Sequence, residues 1–363
     1  MESDPQTHQF GATLPVPNVQ ELAKHKPAMV PSRYIRQDLP SPAESNPPCS
    51  STQVPVIDMK KLMSQESTHD SELRRLHFAC KDWGFFQLIN HGVRSSVLEK
   101  AKVEVQGFFN LALEEKQKCG QIAGEIEGFG QLFVVSEEQK LDWADMFFIK
   151  TLPPHIRSPR LFPKLPPTFR DTIEAYSVEV NKVAMKILRL IAKNLGIKDE
   201  EMCKLYEGGM QSMRMNYYPP CPQPELVMGL SPHSDADGLT ILLQVNETEG
   251  LQIKNNGAWL PIVPIPNSLI VNIGDTLEIF TNGIYRSIEH RAVVSRDKER
   301  MSVATFHAPK LDAELGPAAG LLTTETLPKY KRISVPEFFR LFFSTKLDGK
   351  SHVDVFKIAN NNV

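Results

Sequence analysis

The sequence has no apolar run approaching the ~18–20 residues that a membrane-spanning helix needs, so no membrane partner is expected. It also has no excess of charge of either sign, with 41 Lys and Arg against 43 Asp and Glu and a formal net charge of −2. A surface for nucleic acid or an anionic membrane would need a basic excess, so neither partner is expected. Cysteine is scarce. Cys49, Cys80, Cys119, Cys203 and Cys221 are odd in number and scattered, with no CxxC pair. That pattern excludes a disulfide scaffold and a thiolate zinc site, and fits reduced thiols in the cytosol. The opening segment MESDPQTHQF lacks the basic and apolar regions of a secretory signal, so a cytoplasmic protein is expected.

What is present is enough for a sizeable core. The 363 residues correspond to about two domains, or to one large domain with extensions. Hydrophobic residues make up 41% and charged residues 23%, the ordinary range for a globular chain. Proline is unevenly placed, with nine of 28 in the first 50 residues. Proline removes a backbone donor and restricts its predecessor, so this stretch cannot form long helices or central strands. Residues 1–52 are therefore expected to be a leader without a catalytic role, lying along the domain surface. Val19 to Lys24 has room for a turn or two of helix, and Ser41 to Thr52 reads as linker.

From Val54 the pattern becomes periodic. Val54-Pro55-Val56-Ile57-Asp58 is a short β-type run, and Leu73, Leu76, His77, Cys80 and Trp83 follow helical spacing. Phe85 to Gly92 reads as a buried strand and turn, and Val97, Ala101, Val105 and Phe108 mark another helix. A longer helix is expected over Phe169 to Leu195, with Ile173, Tyr176, Val180, Ala184, Ile187 and Ile191 on one side. Around Met210 the texture changes to short runs rich in Val, Ile, Leu, Thr and Tyr, split by Pro, Gly, Asn and Asp. Strands at this spacing suggest a sandwich or jelly roll. Ser334 with Glu337 is a capping-box signature before Phe338, Phe339, Leu341 and Phe342, and Gly349 supplies a stop for one C-terminal helix. The expected divisions are a leader over 1–52, a mainly helical domain over 53–207, a jelly roll over 208–310 and a helical extension over 311–363.

Chemistry concentrates in the β-region. His233-Ser234-Asp235 places two potential metal ligands at i and i+2, which point the same way in extended chain. A jelly roll can bring a later strand beside them, so His290 can complete a set of two imidazoles and one carboxylate. That set is the facial triad of non-haem Fe(II) oxygenases. Taken alone, an HxD pair is a weak signal that more often marks unrelated polar residues, and a lone histidine is usually structural. Ser287 to Val294 and Arg300 to His307 read as two arms of a hairpin. On the second arm Arg300 and Ser302 share a face, where a guanidinium and a hydroxyl can hold a carboxylate. An exposed Arg300 paired with Glu299 is the alternative. Cys221, set between prolines, reads as structural.

Several motifs together resemble the plant 2-oxoglutarate- and Fe(II)-dependent dioxygenases. They are Asn216-Tyr217-Tyr218-Pro219-Pro220-Cys221-Pro222, His233-Ser234-Asp235, Leu239-Thr240, Gly274-Asp275, Ser287-Ile288-Glu289-His290-Arg291 and Arg300-Met301-Ser302. The helical half adds Val54 to Asp58, Trp83 to Phe86, Asn90-His91-Gly92 and Gly107-Phe108-Phe109. The resemblance spans roughly residues 50 to 350. It implies an α+β fold: a double-stranded β-helix (jelly roll) core with a mainly helical N-terminal domain and a C-terminal helix. It also implies Fe(II) on His233, Asp235 and His290, and 2-oxoglutarate held by Arg300 and Ser302 with further contacts from Asn216 and Tyr218. Phe306 resembles the substrate-stacking aromatic, and Phe129 and Phe133 are further expected lining residues of an apolar pocket.

The implied reaction is a 2-oxoglutarate-dependent oxidation that consumes O2 and releases succinate and CO2, with ascorbate as a reductant. Gly128-Phe129-Gly130-Gln131, Leu141-Asp142-Trp143-Ala144-Asp145 and Lys346-Leu347-Asp348-Gly349-Lys350 are similar to the senescence-related-protein-like branch, which includes alkaloid and flavonoid O-demethylases. Ala308 stands where many flavonoid-oxidising relatives carry an acid, which disfavours the anthocyanidin-synthase type. The expected substrate is thus a small aromatic plant specialised metabolite, demethylated or hydroxylated by a monomeric enzyme. The alternatives are a same-fold oxygenase of a plant hormone and a catalytically silent binding protein.

Overall fold

The computed structural model describes residues 13–37, 53–65, 68–122 and 125–358. In chain order its core strands are β1 (Val56–Asp58), β2 (Phe85–Ile89), β3 (Gly128–Gly130), β4 (Asp145–Leu152), β5 (Gln211–Tyr218), β6 (Leu230–His233), β7 (Leu239–Gln244), β8 (Leu251–Asn255), β9 (Ala258–Pro261), β10 (Leu269–Ile273), β11 (His290–Ala292) and β12 (Arg300–His307). They form an eight-stranded sheet in the order β1-β2-β10-β7-β12-β5-β4-β3, facing a four-stranded sheet in the order β6-β11-β8-β9. This is the expected jelly roll in an α+β chain. Strand alternation sorts the large sheet into two faces. On β5, Met213, Met215 and Tyr217 turn to the helical core, whereas Ser212, Arg214, Asn216 and Tyr218 turn to the space between the sheets.

The long helix expected from the apolar stripe runs over Pro167–Leu195. A proline in its first turn suits the fixed φ there, and Gly196 in the left-handed region ends it. It lies against β4, β7 and β12, so Ile173, Tyr176, Val180 and Ile187 share one core with Met213, Ile241 and Val303. The helical spacing seen from Leu73 to Trp83 divides into an α-helix over Thr68–Phe78 and a π-turn over Ala79–Trp83.

The described part of the leader lies along the domain. Its helix over Val19–Lys24 is present, and Val19, Val30 and Tyr34 are buried with Trp143, Tyr218 and Cys221. The Tyr34 and Trp143 rings meet edge to face, 5.2 Å between centroids. The linker Ser41 to Thr52 and Cys49 lie outside the described residues. Burial pushes the Cys221 thiol up to about 11, consistent with an inert structural cysteine.

Two local expectations are corrected. The segments around His290 and Arg300 are not a hairpin: β11 pairs with β6 and β8 in the small sheet, while β12 pairs with β5 and β7 in the large one. The polar connection between them carries the chain across the sandwich. Gly349 does not stop the C-terminal helix, which runs over Val335–Phe343 and ends at Ser344. Ser334 caps that helix by accepting the Glu337 N–H, but the Glu337 carboxylate pairs with Arg340. Gly349, with φ 54°, instead joins β6 by a bridge to His233.

Candidate metal centre and co-substrate pocket

His233 ends β6 and His290 begins β11, and the two are cross-strand partners. Their ring centroids are 4.2 Å apart. Asp235 follows two residues after His233, and its Oδ1 lies 3.5 Å from Nε2 of both histidines. All three side chains are buried, and one donor atom from each lies within 4.8 Å of the others.

Each donor is oriented by a second contact. His233 Nδ1–H donates to the Ser231 carbonyl at 2.8 Å and His290 Nδ1–H to the Ile288 carbonyl at 3.0 Å. A carbonyl can only accept, so both rings keep Nε2 as the free ligand atom. The other Asp235 oxygen, Oδ2, accepts from Thr240 Oγ1 at 2.6 Å and from Asn272 Nδ2 at 2.8 Å. Thr240 and Asn272 are themselves cross-strand partners on β7 and β10, so one rung of the large sheet steers the carboxylate. Burial alone would raise the Asp235 pKa, but His290 and His233 outweigh it and hold the carboxyl well below its usual range. Burial and the charge of His290 lower His233, whereas Asp235 overcomes burial and raises His290. An ionised carboxylate with two outward Nε2 lone pairs is a donor set that fits Fe(II) and leaves further coordination positions open.

A second polar cluster lies on the inner face of the large sheet. Arg300 opposes Tyr218 and Ser302 opposes Asn216 across β12 and β5. The Arg300 guanidinium sits 5.1 Å from the Tyr218 ring centroid, a cation–π contact. Its Nη2 donates to Gln244 Oε1 at 3.0 Å, and Gln244 Nε2 is tied to the Thr248 carbonyl at 2.5 Å. Gly250 lets the backbone pass close behind, since a Cβ there would stand 2.8 Å from Arg300 Cδ. Among the described residues Arg300 Nε and Asn216 Oδ1 have no hydrogen-bond partner, and no acidic side chain pairs with this buried cation. A buried guanidinium held without an anion is costly, so the cluster suits a ligand carboxylate.

The triad and this cluster open into one cavity of about 1010 Å³, its mouth included. Phe306 and Phe133 line it, as do Phe339, Phe342 and Phe343 of the C-terminal helix. Phe133 stacks on Phe343 at 5.8 Å with an interplanar angle of 5°. Phe129 is placed differently: it is buried in the helical core against Phe108 and is not among the lining residues. Its strand alternates faces, and β3 pairs with β4 so that Phe129 opposes Phe147 of the same core.

Three residues of the site, Asn272, Gln244 and Arg214, were not singled out from sequence, and Thr240 was noted only as part of the Leu239-Thr240 motif. Thr240, Asn272 and Gln244 act on other side chains, and no local spacing reveals such a role. Arg214 could have been found. It shares with Asn216 and Tyr218 the alternation that faces the cavity, it is 9% exposed, and its Nε has no hydrogen-bond partner. It stands opposite Ala304 across β12 and β5, and both residues line the cavity.

This chain belongs to the 2OG-Fe(II) oxygenase superfamily. That family's description matches residues 209–309, and the description "non-haem dioxygenase in morphine synthesis N-terminal" matches residues 54–167. The chain is 56% identical over 351 residues to oxoglutarate-dependent flavonoid 7-O-demethylase 1 of Ocimum basilicum, covering 97% of this chain and 93% of the relative. It is 49% identical over 356 residues to thebaine 6-O-demethylase of Papaver somniferum, covering 96% and 98%. The crystal structure of JOX2 in complex with 2OG, Fe and JA superposes with a TM-score of 0.85 at 36% identity, covering 95% of this chain and 98% of that one. The chain is therefore an oxidoreductase, a dioxygenase that uses Fe(II) and 2-oxoglutarate. Among the described residues no helix is long and apolar enough to cross a membrane.

Proposed function

We propose that this enzyme O-demethylates a methoxylated aromatic plant metabolite of the flavonoid or alkaloid class. The observation that carries this reading is the cavity itself. It runs from the triad to a wall of phenylalanines from two separate segments, Phe133 and the C-terminal helix, and its lining includes Arg214, a buried donor whose Nε has no hydrogen-bond partner. Flat fused rings suit such walls, and one oxygen of the substrate suits the guanidinium. The relatives named as flavonoid and alkaloid O-demethylases support the same reaction.

In this assignment His233, Asp235 and His290 hold Fe(II) through Nε2, Oδ1 and Nε2. Arg300, with Ser302 and Asn216 beside it, holds the far carboxylate of 2-oxoglutarate. When bound, the metal and co-substrate supply the oxidising power, coupling loss of CO2 and formation of succinate to insertion of one oxygen atom of O2 into a substrate C–H bond. The chain's own contribution is orientation and exclusion of water. The Phe133, Phe342 and Phe343 wall covers the ring system, and Arg214 fixes its polar edge so that one methoxy group meets the triad. The resulting hemiacetal releases formaldehyde and leaves a hydroxyl group.

A second reading is favoured by Arg214 specifically. A buried guanidinium whose Nε has no hydrogen-bond partner would pair well with a carboxylate, as in an acidic plant hormone. The test is turnover of a panel of methoxylated flavones, methoxylated alkaloids and acidic hormones by protein loaded with Fe(II) and 2-oxoglutarate. Products lacking a methyl group support the proposal. Oxygenated acids with untouched methoxy compounds support the hormone reading. Arg214→Met should raise KM for the organic substrate about tenfold, the size of a hydrogen bond to a charged group, with KM for 2-oxoglutarate unchanged.

A further inference from the structure

The strand that carries His233 is irregular next to it. β6 and β11 pair at His233↔His290 and at Leu230↔Ala292, so Ser231 and Pro232 stand opposite Arg291 alone. Such a bulge leaves backbone groups without ladder partners, and Pro232 has no N–H to offer. A bulged segment ought to be loose, yet its Ser231 carbonyl is the group that orients His233.

Side chains from outside the sheet replace the missing partners. Asp142 Oδ2 accepts the Ser231 N–H at 3.0 Å, and Asp142 Oδ1 accepts the Ser231 hydroxyl at 2.6 Å. Arg36, near the end of the leader's described part, donates from Nη1 to Ser231 Oγ at 2.8 Å and lies 4.0 Å from Asp142 Oδ1. Both side chains are largely buried, 16% and 19% exposed, so this pair escapes the screening that makes surface ion pairs weak. The leader is itself fixed nearby, since Arg36 N–H donates to the Leu226 carbonyl at 2.8 Å. On the other side of the same strand, Gly349 N–H donates to the Pro232 carbonyl at 3.0 Å and the Gly349 carbonyl accepts the Ser234 N–H at 3.2 Å.

We propose that Arg36 and Asp142 are positioning residues of the metal centre, which act through Ser231 to set the carbonyl that aims the His233 ring. The inference rests on the reading of His233, Asp235 and His290 as metal ligands and gives the leader a part in that site. Ligands must be held within narrow angular limits by their supporting shell, and shell substitutions weaken metal binding about 10–100-fold.

The test uses the full-length metal-free protein, titrated with Mn(II) as a redox-stable probe by calorimetry. Arg36→Met and Ser231→Ala each remove the Arg36–Ser231 hydrogen bond while leaving the Ser231 carbonyl in place. Each should weaken Mn(II) binding about tenfold. The double variant should bind no worse than the weaker single one, because both act through the same contact. Arg36→Lys, which keeps a cationic donor, should recover most of the affinity. A purely structural leader contact would lower the melting temperature of the metal-free protein and leave Mn(II) affinity unchanged. Unchanged affinity in Arg36→Met or Ser231→Ala, or full additivity in the double variant, overturns the proposal. His233→Ala separates the two levels: if it still binds Mn(II) at the original affinity, the metal-site reading itself fails.

Discussion

Asp235 and Asn272 meet through a single hydrogen bond of 2.8 Å at Oδ2, the carboxylate oxygen that does not face the histidines. Thr240 donates to the same oxygen. The division of labour between the two oxygens means that Oδ1 is aimed before any metal arrives. Thr240→Val, close in volume but without the donor, and Asn272→Leu should each reduce metal affinity about 10–100-fold while the fold persists. Calorimetric titration with Mn(II), alongside circular dichroism, checks this. Unaltered affinity in both variants would show that the carboxylate needs no such support.

Arg300 and Gln244 allow a graded comparison. Arg300→Met removes the cation expected to hold the co-substrate carboxylate and should raise KM for 2-oxoglutarate by about 10–100-fold, from the 1.5–3 kcal/mol typical of a hydrogen bond to a charged group. Gln244→Leu leaves the cation but frees it from its tether, so a smaller rise is expected. Neither should change Mn(II) binding measured without 2-oxoglutarate. Steady-state kinetics with 2-oxoglutarate as the varied substrate gives both answers.

His307 sets a pH dependence of stability that is separate from the site. Its Nδ1–H donates to the Leu239 carbonyl at 3.2 Å, so Nε2 accepts from Gln211 Nε2 at 3.1 Å. Burial pushes its pKa down from 6.5 to about 4. Between those values the unfolded chain binds the proton and the folded one does not, so stability rises with pH. The contribution, on the order of 3 kcal/mol, is fully present above pH 6.5, declines as pH falls and is exhausted near pH 4. His307→Gln should flatten that part of the curve in urea unfolding measured across the range. An equally steep loss in the variant would assign the acid sensitivity to other groups.

Much of this architecture is legible in the sequence, for identifiable reasons. The long helix follows from an apolar stripe, and His233 with Asp235 follows from strand alternation, because both signals are local. His290 is brought to them by pairing between strands distant in sequence, which the motif spacing of the family supplies and periodicity does not. The same non-locality explains the corrections. β11 and β12 are adjacent in sequence and read as a hairpin, but the sandwich assigns consecutive segments to opposite sheets. Gly349 reads as a helix stop, whereas its left-handed backbone lets the tail turn back onto β6. Phe129 and Phe133 share a motif-rich segment, yet only Phe133 reaches the cavity, since β3 commits Phe129 to the helical core. In the leader's described part, residues 13–37, the proline content agrees with the absence of long elements and conceals the contact with the strand of His233.

O-demethylation coupled to 2-oxoglutarate turnover fixes a stoichiometry between formaldehyde and succinate. The enzyme, loaded with Fe(II) and 2-oxoglutarate, is given the best methoxylated aromatic substrate carrying a carbon-13 label in its methyl group. Labelled formaldehyde and succinate are then measured in the same reaction. One labelled formaldehyde is expected for each succinate, with both lost in His290→Ala. Succinate formed on substrate turnover without labelled formaldehyde would contradict demethylation, and succinate production unaffected by His290→Ala would contradict the assigned metal centre.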